Sequence, residues 1–537
     1  MDLYLFFKHY SQPFPNKEQS MKALRLPFLG LSLFVFFAIP QRSIAEPVVT
    51  TSAELDPIFS AHLEYAVEAH PTVIAAKLRE QAAGYVADAL VYTFDSPEWV
   101  AAAGYARGAD DVPGISIGRI SPADAVTFSG GVEAPVGGGV YAGAGVAQRV
   151  LTASDAGSDL RQTAIGVRAR VPLLQDFQYG LHRHEVSKSS AEAFVIHMNC
   201  VELQHSVGRN ALLAWNTYLR SQADLQAVGS AVSRAVKLYE QTFARAELKD
   251  VAAYQIFATK YEVALRQEEL REVQQNLDSE LETLRERLGL HTHASEMHVS
   301  DPVVGTNNIF VVGRALAKFE GIVFPISDVL NRHPRCLLKQ AEEALAATEL
   351  SLMVERAKDA VDVTAGMGWR GETDSGFFGD DALETRRNEV LEVGVYWKRP
   401  LDKRGVRTDI AVARTRLAAV RADRQAVENE VLAALARAQN VFSSACGRLQ
   451  LASSAIEEAR KALEAEEARF NLGEGTSRNV LDAQKDLTSA TRRGISVFST
   501  VISAWVELVH ASGRNAAEIF IPVRHGGVAL DVTQEGE

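Results

Sequence analysis

The chain has 537 residues, of which 47% are hydrophobic, 23% charged and 8% aromatic. That balance excludes a disordered acidic chain and a collagen-like one. A net charge of −12 argues against a dedicated nucleic-acid binder. A mean hydropathy of −0.05 excludes a protein built of many membrane helices. Three widely separated cysteines make neither a disulfide framework nor a short-spaced zinc site.

Lys22 and Arg25 precede an apolar core from Phe28 to Ile39, followed by Pro40 and Ser43-Ile44-Ala45. A basic start, a short apolar run and a small-x-small site predict a secretory signal peptide over residues 1–45. The run is too short to span a bilayer, which takes roughly 20 apolar residues. The basic region begins best at Met21, which makes residues 1–20 an over-long start. Without residues 1–45 the chain carries 51 basic and 66 acidic residues.

The remainder reads as one unit written twice. The first repeat, 46–290, opens on a helix containing His70-Pro71. A strand follows in which Ile165, Val167, Ala169 and Val171 alternate with Gly166, Arg168 and Arg170 before Pro172-Leu173-Leu174. A long helix then carries Trp215, Tyr218, Leu225, Val232, Val236, Tyr239 and Phe243 in a heptad-like register. A turn over Ala244–Asp250 leads into a returning helix that ends near Leu288. This repeat also holds a glycine-rich insertion over 114–150, which leaves two readings open: a second hairpin or a long extracellular loop. A connector of mixed character occupies 291–325.

The second repeat, 326–513, opens on His333-Pro334. Val361, Val363, Ala365, Met367 and Trp369 alternate with Asp362, Thr364, Gly366, Gly368 and Arg370. On the returning strand Leu391, Val393, Val395 and Trp397 alternate with Glu392, Gly394, Tyr396 and Lys398. Strands of about ten residues with one apolar face fit a tilted membrane β-strand or a half-buried strand of a soluble sandwich. A helix from about Val406 to Phe470, roughly 90–100 Å long at 1.5 Å per residue, repeats Phe442, Leu449, Ile456, Leu463 and Phe470 every seven residues. Ala438, Ala445, Ala452 and Ala459 form the second line of that seam. In the turn Asn471–Asn479, Gly473 and Gly475 suit the left-handed geometry that ends a helix, and Ser477 suits the cap of the next. The returning helix runs to about His510, and 514–537 reads as a disordered tail.

No catalytic constellation emerges. Gly137–Gly145 lacks a Walker lysine and a dinucleotide fingerprint, and no nucleophile elbow occurs. His291, His293, Glu296 and His298 read as a solvated connector rather than a metal site, and His182-Arg183-His184 as a polar surface patch. The sequence therefore implies no enzyme, no cofactor and no metal.

The order of elements, together with Ala468-Arg-Phe-Asn-Leu-Gly-Glu-Gly-Thr-Ser-Arg-Asn-Val-Leu-Asp-Ala-Gln484, resembles the TolC-like outer membrane efflux proteins. The resemblance covers about Phe59 to Gly513. It implies a mainly α fold with a small β part. Three copies would form a periplasmic α-barrel standing on an outer-membrane β-barrel. Asp482 matches one constriction carboxylate of the family. Asn479 stands where the other is commonly Asp, and Gly475 where some members carry a gating Arg. The tips, with Arg245 and Leu248 on the first and Asn471, Leu472, Gly473 and Gly475 on the second, would meet a periplasmic adaptor (membrane fusion) protein. The first tip lacks the family's usual glycine.

The resemblance thus implies a homotrimeric outer-membrane exit duct of a tripartite efflux or type I secretion system. It would be set in outer-membrane lipid, extend into the periplasm and be driven by an inner-membrane transporter, with no nucleic-acid partner. The rival is a periplasmic coiled-coil adaptor or scaffold without a barrel. An adaptor would show one helical hairpin flanked by compact β-domains, whereas this chain shows two hairpins with paired strands.

Overall fold

A computed structural model describes residues 57–106, 123–137, 139–153, 160–248, 252, 254–290, 308–373, 388–399 and 402–515. The predicted signal peptide, the His291–His298 group and nearly all of the predicted tail lie outside them.

Helices α1 (Pro57–Ala69) and α2 (Pro71–Asp95) lead into strands β1 (Glu98–Ala106), β2 (Ala123–Gly137), β3 (Val140–Ala153) and β4 (Leu160–Pro172). Helix α3 (Gly180–Glu247) and its return α4 (Tyr254–Arg287) complete the first repeat. Short helices α5 (Ile309–Ala317) and α6 (Ile326–Arg332) precede α7 (Pro334–Arg356). Strands β5 (Ala360–Thr373) and β6 (Asn388–Lys398) then lead into α8 (Arg404–Asn471) and its return α9 (Ser477–Ala511). The chain is mainly helical with one small sheet, as the alternation of patterns predicts.

The insertion is a second hairpin. The sheet has six strands in sequence order, every neighbouring pair antiparallel. The hairpin β2–β3 lies within it, hydrogen-bonded to β1 on one side and β4 on the other. Register aligns the two faces. One cross-strand row runs Val132, Ala144, Val167, Met367 and Leu391, and the next Ala134, Ala142, Ala169, Ala365 and Val393. This apolar face is open: Leu391 is 79% exposed, and Val393 and Val395 are 70% exposed. The opposite face carries Glu133, Arg168, Arg170, Asp362 and Glu392, with Glu133 and Asp362 within 3.7 and 3.5 Å of Arg170.

Four glycines, Gly131, Gly145, Gly166 and Gly368, form one row across β2–β5 on this polar face. A β-carbon on any of them would lie 2.6 to 3.0 Å from a carbonyl oxygen of the neighbouring strand. Glycine is what admits this close approach, which allows the sheet to curve toward its polar face.

The helical core sits where α3, α8 and α9 converge. Phe442 and Phe319 pack on Trp505 at 5.3 and 5.0 Å, and Phe310 on Phe498 at 4.9 Å. Phe310 belongs to α5, so the segment expected to be only a connector supplies a buried helix to the core. In α8 the predicted seam holds, with Phe442, Leu449, Leu463 and Phe470 buried. In α3 the register differs. The buried stripe is Leu212, Trp215, Leu219, Ala223, Val228, Ala231, Ala235 and Leu238, while Tyr218, Leu225, Val232, Val236 and Tyr239 are half-buried and Phe243 is exposed. Packed against α2, α4, α7 and α9, α3 spreads its apolar residues over several interfaces and presents no single seam.

The two His-Pro pairs are caps. His70 Nδ1 accepts the Thr72 N–H at 3.3 Å and His333 Nδ1 the Arg335 N–H at 3.2 Å, with proline in the first turn of each helix. A glycine closing each returning helix packs on the same residue: a β-carbon on Gly289 would lie 2.8 Å from the His70 ring, and one on Gly513 would lie 2.6 Å from the His333 Cα.

Two outcomes follow from this packing. Gly368→Ala forces a methyl against the Ile165 carbonyl, whereas a β-carbon on Gly130, on the apolar face, meets nothing within 4 Å. Gly368→Ala is therefore expected to cost about 1–3 kcal/mol, read as reduced yield and heat resistance of the assembled protein, with Gly130→Ala close to wild type. Equal behaviour of the two would contradict the curvature.

The second concerns His205 on α3, His333 and His510 on α9. The His333 and His510 rings lie 6.3 Å apart. Burial, with the neighbouring His510, pushes His205 and His333 down to about 4. His510 is lowered by burial and by Arg209, against Glu507. The unfolded chain therefore binds more protons below about pH 6.5. The stability these neutral rings contribute is fully present above that value and is lost as the pH falls toward 4. Helical unfolding should be easier at pH 5 than at pH 7, by on the order of 1–2 kcal/mol for each of His205 and His333, with His510 adding in the same direction. His333→Asn, which keeps a cap acceptor, should flatten the dependence. Identical unfolding curves at both pH values would contradict it.

Candidate functional site

The two hairpin tips and the start of α9 hold the residues singled out by sequence. At the second tip α8 ends in a left-handed residue, Gly473, with φ of 82°, and the Glu474 N–H reaches back to the Arg469 carbonyl at 2.9 Å. Gly475 is not left-handed. Its requirement is space, since a β-carbon there would lie 3.1 Å from the Phe470 nitrogen. Ser477 is not the cap of α9. Thr476 is, accepting the Asn479 N–H through its hydroxyl. Ser477 is buried and donates to Gln255 Oε1 at 3.0 Å on the first hairpin.

Arg245 ties the tips together from the other side. Its guanidinium lies 4.7 Å over the Phe470 ring and donates to the Phe470 carbonyl. It is half-buried and acts as a brace within the chain. Leu248 and Leu472 are the open apolar residues of the tips, 79% and 76% exposed, and Asn471 and Gly473 are exposed beside them.

Above the second tip, α9 divides by face. Val480, Leu481, Gln484, Leu487 and Thr488 are buried, while Asn479, Asp482, Asp486, Ser489 and Arg493 form an exposed stripe. Asp482 and Asn479 thus share a face, one turn apart. Asp482 makes no ion pair or side-chain hydrogen bond among the described residues. Asp486 continues the stripe by another turn, and the i, i+4 spacing from Asp482 is the sequence signal for it.

Sequence reading also missed the polar links between hairpins. Glu262 on α4 pairs with Arg266 at 3.0 Å and with Lys485 of α9 at 3.4 Å. Glu269 pairs with Arg266 at 2.7 Å and Arg492 of α9 at 2.6 Å. Asp224 of α3 lies 3.8 Å from Arg492, and burial pushes its carboxyl up against the opposing pull of Arg492. Lys485 and Arg492 are distant in sequence from these carboxylates, so no local pattern marks the links between hairpins.

At the opposite end of α3, the strand-to-helix elbow holds three non-glycine residues at positive φ: Asp176 (62°), Gln178 (50°) and Tyr179 (61°). Such strain persists where the surroundings over-determine it. The Tyr141 hydroxyl donates to Asp176 Oδ2 at 2.8 Å, and the Leu181 N–H donates to Oδ1 at 3.0 Å. The Tyr179 hydroxyl donates to the Val140 carbonyl at 2.7 Å and accepts the Gly137 N–H at 3.1 Å. The β2–β3 turn is thereby clamped to the elbow.

Residues 326–514 match the outer membrane efflux protein family, a span that coincides with the second repeat. No curated protein matches the chain in sequence. Among solved structures the fold is similar to the outer membrane protein VceC from Vibrio cholerae, with a TM-score of 0.60 at 16% identity over 85% of this chain and 96% of that one. The CmeC outer membrane channel of Campylobacter jejuni gives 0.60 at 12% identity over 92% and 94%. The open-state MtrE channel of Neisseria gonorrhoeae gives 0.59 at 14% over 86% and 90%.

Proposed function

We propose that this chain, whose second repeat is an outer membrane efflux protein domain, is one third of a homotrimeric exit duct. It conducts cargo passively across the outer membrane and is not an enzyme. One observation carries the reading: among the described residues the sheet presents apolar rows across β2–β6, most open at Leu391, Val393 and Val395, and two unpaired edges. A bilayer satisfies the first and neighbouring copies satisfy the second. The two 68-residue helices, each roughly 100 Å long, then project the tips into the periplasm. The division into repeats at 46–290 and 326–513, joined by a connector at 291–325, fits one strand set and one helical hairpin per repeat. A coiled-coil scaffold without a barrel has no use for such a sheet.

Within this duct the exposed tips, centred on Leu248 and Leu472, are the contact surface for a periplasmic adaptor, and an inner-membrane transporter supplies the energy. Arg245 contributes by holding the tips in shape. The exposed stripe of α9 faces the lumen near its periplasmic mouth, and threefold symmetry brings Asp482 of each copy to one ring. Asn479 adds a neutral ring where a second carboxylate would tighten the field.

Purified mature protein should resist heating in SDS as a trimer and conduct ions in a planar bilayer; a soluble monomer without conductance would remove the duct. A carboxylate ring raises the local cation concentration, so the channel should be cation-selective and blocked by multivalent cations. Asp482→Ala should weaken block and selectivity without affecting assembly, and Asn479→Asp should strengthen both. Unchanged reversal potentials in both variants would place Asp482 outside the pore.

The tip reading has its own test. A photo-crosslinker at Leu472 or Leu248 should capture a periplasmic protein in cells, whereas one at Val393 should not. Capture at neither leucine would rule out the tips as the adaptor surface.

A further inference from the structure

The sheet of one chain has too many strands to be a strand pair from each repeat and too few to close by itself. Transmembrane barrels start at eight strands, and six leave β1 and β6 each with an open edge. Building on the duct reading, we propose that all six strands enter the wall. Three copies then close an eighteen-stranded barrel in which β6 of one copy pairs with β1 of the next.

Direction supports this closure. The strands alternate without exception from β1 to β6. An even number per chain therefore sets β6 antiparallel to the β1 it would meet. The hairpin β2–β3 preserves this parity, whereas a single extra strand would break it.

Face and curvature support it as well. On β2 and β3 the outward set Val132, Ala144 and Val146 continues the apolar rows of β4–β6, and Phe128, exposed on the same face, opens a row that passes through Gln148 and Thr163. The polar face of the hairpin, with Glu133 and Tyr141, continues the polar face of β4. The glycine row lies on that polar face and allows the sheet to bend toward it, which is the sense needed for a polar lumen inside a lipid-facing wall. A hairpin folded into the lumen as a plug, or standing outside as a loop, would not be paired on both flanks.

The end of the hairpin is anchored too. Its Gly137–Val140 turn is clamped by Tyr179 to the elbow before α3. Short turns on the periplasmic side and longer loops on the other are how such barrels are arranged. The lumen that results is wide, with a belt of bare backbone at Gly131, Gly145, Gly166 and Gly368.

With strands about 4.8 Å apart and tilted about 40°, eighteen strands give a backbone diameter of roughly 36 Å and twelve give roughly 24 Å. Electron microscopy of the detergent-extracted full-length trimer, viewed down its axis, should show the wider barrel, a 1.5-fold difference. An intact trimer with the narrower barrel would overturn the inference while leaving the duct in place. A protein with no trimeric barrel would overturn the duct reading, and this inference with it. Single cysteines give an independent readout, since Cys200, Cys336 and Cys446 are buried. Phe128→Cys should react with a lipid-soluble maleimide and resist a water-soluble one, and Ser129→Cys the reverse. Equal aqueous reactivity at both positions would take β2 out of the wall.

Discussion

An unpaired backbone amide has nowhere to go in hydrocarbon, and in the proposed duct this constraint organises the molecule. One copy of the chain makes a sheet with an apolar face it cannot bury and two edges it cannot pair. A soluble protein would blunt such edges with charge, proline or a covering helix. Here β6 keeps Leu391, Val393, Val395 and Trp397 in the open, and among the described residues no helix covers them. In the proposed duct the monomer is therefore an incomplete object, and the strand count and direction of a single subunit would set the symmetry of the assembly.

Joining such a wall to long helices imposes a second demand. In the proposed duct a strand tilted in the barrel must turn sharply to enter a helix that runs away from the membrane. The first repeat achieves this with three consecutive-region residues at positive φ, locked by Tyr141, Asp176 and Tyr179. The second repeat uses charge: Lys403 Nζ lies 2.7 Å from the Asp359 carboxylate and Arg399 lies 3.7 Å from it.

Much of this was legible in the residues. Period-two alternation located β4, β5 and β6 and assigned their faces, because a half-polar strand writes its two environments directly into the sequence. The α8 seam was legible for the same reason, since it packs mainly on one returning helix and its seven-residue spacing is regular. The α3 seam was misplaced by one position along much of its length. A helix with four packing partners has no single apolar stripe to count. The insertion stayed ambiguous because its strands are built on glycine and alanine, which serve curvature and close approach and leave little hydrophobic contrast. At the tip, Gly473 was identifiable from its turn chemistry. The cap fell to Thr476 rather than its neighbour Ser477 because the latter is needed for the contact with Gln255. The cross-hairpin ion pairs link residues more than two hundred positions apart and leave no local trace.

The tips show how duplication divided the work. The second keeps the glycine-built turn and an open leucine. The first has no glycine there and instead supplies Arg245, which stacks on Phe470 and accepts the geometry that the second tip imposes. Ser477 and Gln255 complete the exchange from the opposite direction. Each tip thus stabilises a feature of the other, so neither can diverge freely. In a trimer the rim would alternate two unlike tips six times around, each pair braced within one chain. A partner bound to that rim would meet two kinds of surface in fixed alternation, and its stoichiometry would follow from whether it reads one kind or both.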